Sequence, residues 1–467
     1  MFRKIICVVL TILSVVFVFS GCSSLTFNSP ENLVRPPKLS GADGELQKAF
    51  ESAVSEKGEY ILKYPSAGNY KSAFVRADCD NDGDSEAFVF YSLKTEEMAV
   101  YMYMLDYKNG EWNPIGEVPG EGNDIYSIEF CDLNADGISE LLVGWSSIDS
   151  KANKKLGIYH TDNTGGMMNY KVIGIEPYTA MFTVDIDADG HQEILTTLIN
   201  STSDTYTTEA KLLKMAKTQV NAWQINPIGQ VNLYSGITAV NNIASCYSND
   251  IRYLYIDETA GDAYLTELLY WDTEQKTLVS ALKIDPVSIA MCPTSRSLPL
   301  VCQDIDGDGE LEIPVTKMIQ DSNVVFTSND TEAEVNLQPA ASTNIYVTSW
   351  KKFDEGRFTT VDSYIENSYD NFRLDYDEET MSNWSVRFFA DKGLSEFYMI
   401  EQTDDPESPV NSVLLFSISK ATISNEAVDS VIAMTDMSRY TCQITEAGEE
   451  AGFDVESISK MVTVTEE

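Results

Sequence analysis

The chain has 467 residues, and its 73 aspartates and glutamates against 32 lysines and arginines give a formal charge of −41. Such an excess repels phosphate backbones and anionic headgroups, so it excludes nucleic acid and electrostatic adhesion to an acidic membrane surface as modes of action. The length provides for about two or three domains with ample core, and the eight cysteines form no CxxC pair, which argues against a zinc or redox centre.

Arg3 and Lys4 precede an apolar run from Ile5 to Phe19, too short to span a bilayer. Residues 1–21 therefore predict a signal peptide. Ser20-Gly21-Cys22 resembles the lipobox of bacterial lipoproteins, which implies cleavage before Cys22, a lipid on its thiol and anchoring to the extracytoplasmic face of a bacterial cell membrane. The alternative is an ordinary signal peptide with an incidental cysteine. Residues 22–44 are polar and proline-bearing, as a tether is. Over 45–58 the residues Leu46, Ala49, Phe50, Ala53 and Val54 share one face of an amphipathic helix that Gly58 ends.

The strand EYILKYP then leads to a motif that recurs four times. Its copies are DCDNDGDSE (Asp78 to Glu86), DLNADGISE (Asp132 to Glu140), DIDADGHQE (Asp185 to Glu193) and DIDGDGELE (Asp304 to Glu312). A hard cation such as calcium takes six to eight oxygens at roughly 2.3–2.6 Å. Positions 1, 3 and 5 supply side-chain oxygens: Asp78, Asp80 and Asp82; Asp132, Asn134 and Asp136; Asp185, Asp187 and Asp189; Asp304, Asp306 and Asp308. Position 7 supplies its backbone carbonyl, from Asp84, Ile138, His191 and Glu310, and the glycine at position 6 permits the sharp turn. An EF-hand would place its last glutamate at position 12, where this chain has Val89, Val143, Thr196 and Val315. Here the acid stands at position 9, as Glu86, Glu140, Glu193 and Glu312. Asn134 leaves the second loop one carboxylate short, so it is expected to bind most weakly. The competing reading is a set of solvated acidic turns.

Each loop follows a β-like run (AFVRAD, YSIEFCD, MFTVD, LPLVCQD) and enters another (EAFVFYSL, ELLVGW, EILTTL, EIPVTK). The pattern D-x-[DN]-x-D-G-x-x-E between strands resembles the FG-GAP/VCBS repeats of integrin-α-type β-propellers over 59–370. The resemblance implies calcium, about four ions, at the positions named. The first three copies start 54 and 53 residues apart. Past each loop comes a hairpin, at Lys108-Asn109-Gly110 in the first unit and Asn163-Thr164-Gly165-Gly166 in the second, so one unit is a four-stranded blade. The 119 residues from Asp185 to Asp304 leave room for a degenerate unit (GITAVNNIA, RYLYIDE, YLTELLYW, TLVSALKI), whose turn SCYSND lacks the acid triad and predicts no ion. The fifth unit carries a polar insertion at 328–343 and closes with NIYVTSW and RFTTVDSYI. The expected fold is mainly β, a propeller of about five blades. A small α+β domain over 371–467 follows, with strands FRLDY, SVRFFAD, SEFYMIE and SVLLFSIS and a last helix capped by Asp454.

The RPPKLSG segment, the helix and the repeats together resemble lipoproteins of Gram-positive bacteria, a likeness that brings a layout without an activity. Cys292 and Cys302 bracket a loop and could bridge; unpaired core thiols are the expected state of the six cysteines beyond Cys22. The six tryptophans are read as packing between blades, with stacking on sugars as the alternative. His160 is read as exposed in its hairpin. No GxSxG, HExxH or P-loop spacing occurs, and no catalytic residue is assigned. The expectation is a lipid-anchored binding module for a protein or glycan; the alternative is a polysaccharide hydrolase or lyase on the same frame.

Overall fold

The computed structural model describes residues 42–147, 150–164, 167–201, 206–282, 289–319, 324–326, 345–400, 410–423 and 430–465. The leader, Cys22, the tether as far as residue 41, the second half of the Asn163–Gly166 turn and the 328–343 insertion lie outside them.

The protein is mainly β. Six sheets follow one another along the chain, and the first four are antiparallel meanders. The second runs Asp124–Cys131, Glu140–Ser147, Ser150–Thr164, Met167–Tyr178; the third Ala180–Val184, Glu193–Ser201, Tyr206–Lys217, Trp223–Asn232; the fourth Ala239–Ser248, Ile251–Ala260, Ala263–Asp272, Thr277–Ser280. In the first, Tyr60–Leu62 and Phe74–Ala77 share one edge of Glu86–Leu93, which continues into Tyr101–Lys108 and Glu111–Pro119. Asn109 and Gly110 both take positive φ, 57° and 86°, which gives the hairpin the twist of its strands.

Period-two alternation sends each strand's side chains to two different neighbours. In Glu86–Leu93, Phe88 and Phe90 face the second sheet, against Ile125, Leu141, Val143 and Trp145. Ala87, Val89 and Tyr91 face the helix Ala42–Val54, against Leu46, Phe50 and Val54. Both faces are covered, which is why EAFVFYSL reads as an unbroken apolar run. The same division recurs downstream. Leu142 meets Ile194 and Leu213 of the third sheet, Leu195 meets Leu254 and Ile256 of the fourth, and Tyr253 and Tyr255 meet Ile313 and Phe353 of the fifth. The result is a stack of sheets in chain order, with the helix over the outer face of the first. Among the described residues, no hydrophobic cluster joins the first sheet to the fifth or sixth.

The fifth sheet comprises Glu312–Met318, Tyr346–Asp354, Arg357–Asn367, Phe372–Asp375 and Val462–Val464. The expected strand LPLVCQD is absent; only an isolated bridge joins Gln303 to Glu312. Its backbone is drawn elsewhere. The Cys302 N–H donates to the buried Asp257 carboxylate, and Arg296 Nε donates to the Leu300 carbonyl, 2.9 and 2.8 Å away. The sixth sheet holds Trp384–Phe389, Leu394–Ile400, Val410–Thr422, Ser438–Ile444 and Val431–Met434, with Val324–Phe326 alongside Val410–Thr422 in parallel. Asp454 caps Val455–Met461 through a capping box with Ser457, as expected. All six described cysteines are free thiols. Trp145 and Trp384 are buried between neighbouring sheets, and Trp350 is buried as well. No helix among the described residues is long and apolar enough to cross a membrane.

Candidate metal centres

The four acidic loops share one geometry. The glycine at position 6 takes φ between 84° and 93°, and its N–H donates to the position-1 carboxylate in every copy: Gly83 to Asp78, Gly137 to Asp132, Gly190 to Asp185, Gly309 to Asp304. Position 4 is left-handed as well, at Asn81, Ala135, Ala188 and Gly307. The position-7 N–H donates to the position-5 carboxylate at 2.8–3.0 Å. Backbone donors thus hold the outer side of each acid triad and turn the remaining oxygens toward one another. Oxygens of Asp78, Asp80 and Glu86 lie within 4.8 Å of one another, as do those of Asp185, Asp187 and Glu193, and of Asp304, Asp306 and Asp308.

The position-9 glutamate opens the second strand of each unit and is almost fully buried in all four. One oxygen, Oε2, accepts the position-2 N–H: Cys79 to Glu86 at 2.6 Å, Leu133 to Glu140 at 2.9 Å, Ile186 to Glu193 at 3.1 Å and Ile305 to Glu312 at 2.9 Å. The other oxygen, Oε1, separates the loops. In Glu86 and Glu312 it is buried with neither a hydrogen-bond nor an ion-pair partner; in Glu193 it also lacks a well-formed hydrogen bond, but Lys214 Nζ stands 2.7 Å away as an ion pair. A buried anionic oxygen in that state is costly, and a cation seated among the loop oxygens would satisfy it. The donor set is all oxygen, which suits calcium or magnesium rather than zinc. On this observation the first and fourth loops fit a hard divalent ion.

What faces Oε1 is the residue opposite on the third strand, and here the loops differ. Glu86 is paired with Asp106, which is buried, keeps one oxygen unpartnered and gives the other to Lys108 at 2.9 Å. Burial, above all, pushes the Glu86 carboxyl up to about 7; the Cys79 N–H opposes this, and Asp80, Asp106 and Asp82 add to it. Glu140 instead meets His160 Nδ1 at 2.8 Å. His160 is buried, against the exposed position expected of it, because the strand register sets it inside the sheet opposite an equally buried acid. Glu193 Oε1 meets Lys214 Nζ at 2.7 Å, and the same ammonium lies 2.9 Å from Asp187 and 2.7 Å from Asp189. Burial works to lower the Lys214 pKa, and the three carboxylates outweigh it. Glu312 is paired with Lys352, whose ammonium reaches past it to Asp308 at 2.5 Å and Glu310 at 3.2 Å. The bond from Lys352 holds the Asp308 carboxyl below its usual range.

Asn134 of the second loop is nearly buried, its Oδ1 accepting from Asp136 N–H, and Nδ2 points at the Met215 sulfur, 3.8 Å away. His191 is partly exposed at position 7, with its N–H on Asp189. The degenerate unit turns through Asn249 and Asp250, both at positive φ, with no acid triad. Sequence reasoning missed the cross-strand set Asp106, His160, Lys214 and Lys352. It becomes visible only when each hairpin register is counted back from its turn. Compared with family models and with curated proteins, the chain gives no match.

Proposed function

We propose that the protein is a calcium-binding β-sheet protein of the FG-GAP/VCBS type, lipid-anchored at Cys22 on the extracytoplasmic face of a bacterial membrane, whose sheets act as propeller blades and present a surface to a glycan or protein. One observation carries the calcium reading. Four loops of unequal sequence share one backbone geometry, and in two of them a fully buried glutamate keeps an unpartnered oxygen beside the acid triad. Asp78, Asp80, Asp82, Glu86 and the Asp84 carbonyl would hold an ion in the first loop, and Asp304, Asp306, Asp308, Glu312 and the Glu310 carbonyl in the fourth. A bound ion would neutralise the crowded carboxylates and pin the loop to the strand that the glutamate begins. The succession of sheets of four to six strands, each buried against the next, supports the blade reading, with the helix over the outer face of the first.

The test is a calorimetric calcium titration of the chelator-stripped protein. Saturable binding in the range of extracellular modules, Kd roughly 10⁻⁴–10⁻³ M, with a matching rise in unfolding midpoint, is the expected result. Calcium binding unchanged in stoichiometry and affinity by Glu86→Gln combined with Glu312→Gln would refute it. A screen against glycans and cell-wall fragments then tests the module: saturable binding without turnover is expected, and turnover would make it an enzyme.

A further inference from the structure

Away from the acidic loops, a groove of about 790 Å³ crosses the leading edges of the sheets. Its walls come from the beginnings of first strands, at Tyr126 and Ser127, Thr179 to Met181, and Thr238 to Val240, whereas the ion loops follow the ends of such strands. Lys154, on the third strand of the second sheet, lines it. This lysine is only 7% exposed. Its Nζ stands 4.0 Å from the ring centre of Tyr126 and 5.2 Å from that of Tyr178, and among the described residues no carboxylate lies within ion-pair distance. The groove also holds Glu129, whose carboxyl burial pushes up, and neither group shifts the other.

The ammonium tip opens on the groove with no counter-charge among the described residues, and two aromatic faces offset part of its desolvation, roughly 0.5–2 kcal/mol each. Of the chain's 73 acids, none of those described stands within ion-pair distance of Lys154. The site therefore has room and electrostatic demand for one anionic group. The rest of the wall says what carries that group. Tyr126 and Tyr206 expose rings, 36% and 42%, and Ser127, Thr179, Ser201 and Thr238 contribute hydroxyls. Apolar ring faces beside hydroxyl donors and acceptors suit a sugar, and the volume is that of a small-ligand site. The net charge of −41 disfavours a polyanion, which leaves a ligand with a single charged substituent.

We propose that this groove binds an anionic saccharide, a sugar bearing one carboxylate or phosphate, with the charged group on Lys154 and the ring against Tyr126. The proposal rests on the reading of the protein as a binding module and names the ligand class of that module.

Calorimetry on the full chain in calcium tests it, with glucuronate, glucose 1-phosphate and neutral glucose as probes. Glucuronate or glucose 1-phosphate should bind saturably and glucose at least about tenfold more weakly; which of the two anions binds tighter separates carboxylate from phosphate. Lys154→Met should weaken the anion about tenfold or more, and Lys154→Arg should retain it. Tyr126→Ala, at a position 36% exposed, should also weaken it, so a second variant carries the test if Lys154→Met misfolds. Equal affinity for glucose, no binding of either anion, or full binding by Lys154→Met would overturn the proposal. Calcium stoichiometry is read in a separate titration. A chain that takes calcium and binds other envelope glycans but not these anions refutes the groove alone, and a chain that binds them without calcium refutes the calcium reading alone.

Discussion

Lys214 Nζ lies 2.7 Å from the buried Oε1 of Glu193, so the third loop is closed by a cation that the chain itself supplies. A divalent ion at this loop must compete with that ammonium. Lys214→Met is expected to destabilise the chelator-treated protein by about 2 kcal/mol, because three carboxylates lose their partner at once. Calcium should restore the loss, and the variant should show one more or one tighter calcium site than the parent. Urea unfolding with and without chelator, set beside calcium calorimetry, reads both effects.

Phe50 carries the helix. Its fully buried ring contacts Tyr60, Phe74, Tyr91 and Tyr103 edge-on, at centroid distances of 5.2–5.9 Å. Phe50→Ala should cost about 3–5 kcal/mol, the usual toll of deleting a buried aromatic ring. Hydrogen exchange should localise the loss to 42–54 and to the strand Glu86–Leu93, with the fourth sheet unaffected.

Glu258 and Glu267 form a buried acid pair on the fourth sheet. Burial drives both upward, Glu258 well above the usual glutamate range and Glu267 to about 7; Glu267 and Asp257 add to the Glu258 shift, while the Tyr234 N–H and Glu258 oppose that of Glu267. Both hold a proton in the fold that the unfolded chain releases near 4.5. The native state therefore binds more protons between these values, and the pair's contribution is full below 4.5 and is lost as pH rises toward 7 and beyond. Glu258→Gln should remove part of this dependence. Comparing denaturant midpoints at pH 5 and pH 8, in constant calcium, should show a smaller decline for the variant than for the parent.

Ala135 and Ala188 hold φ of 55° and 57° at position 4 of their loops, where the fourth loop has Gly307. A Cβ is disfavoured there, so Ala188→Gly should leave the fold intact and gain about 0.5–1 kcal/mol. Thermal melts of the calcium-loaded protein check the sign.

Much of the fold was legible in the sequence because each strand obeys a two-residue period bounded by acidic loops or Asn-Gly turns. The run from Ala87 to Tyr91 named a strand by its β-branched and aromatic content; that both its faces are covered emerged only from the structure. The acid triads were legible for the same reason: oxygen ligands at alternate positions need no partner from elsewhere. What escaped notice depends on distant chain segments. His160 looks like a polar hairpin residue until the register sets it on Glu140. LPLVCQD has the composition of a strand, yet the Asp257 carboxylate, 45 residues upstream, takes the Cys302 N–H that a sheet would use. Lys154 gives no signal at all in a window of its neighbours, since its two tyrosines arrive from other strands.

Because nearly every sheet is built from consecutive strands and, among the described residues, packs its hydrophobic faces on its neighbours in the chain, the protein can assemble vectorially. The helix and first sheet can close as soon as their own residues are available, and each new sheet then finds its template already laid down. The exceptions sit at the far end. Val462–Val464 pairs with Phe372–Asp375, and Val324–Phe326 with Val410–Thr422, so the fifth and sixth sheets must wait for the last residues of the chain. Truncation near the carboxyl terminus should therefore leave a firmly folded front and an unfinished tail, open to proteolysis.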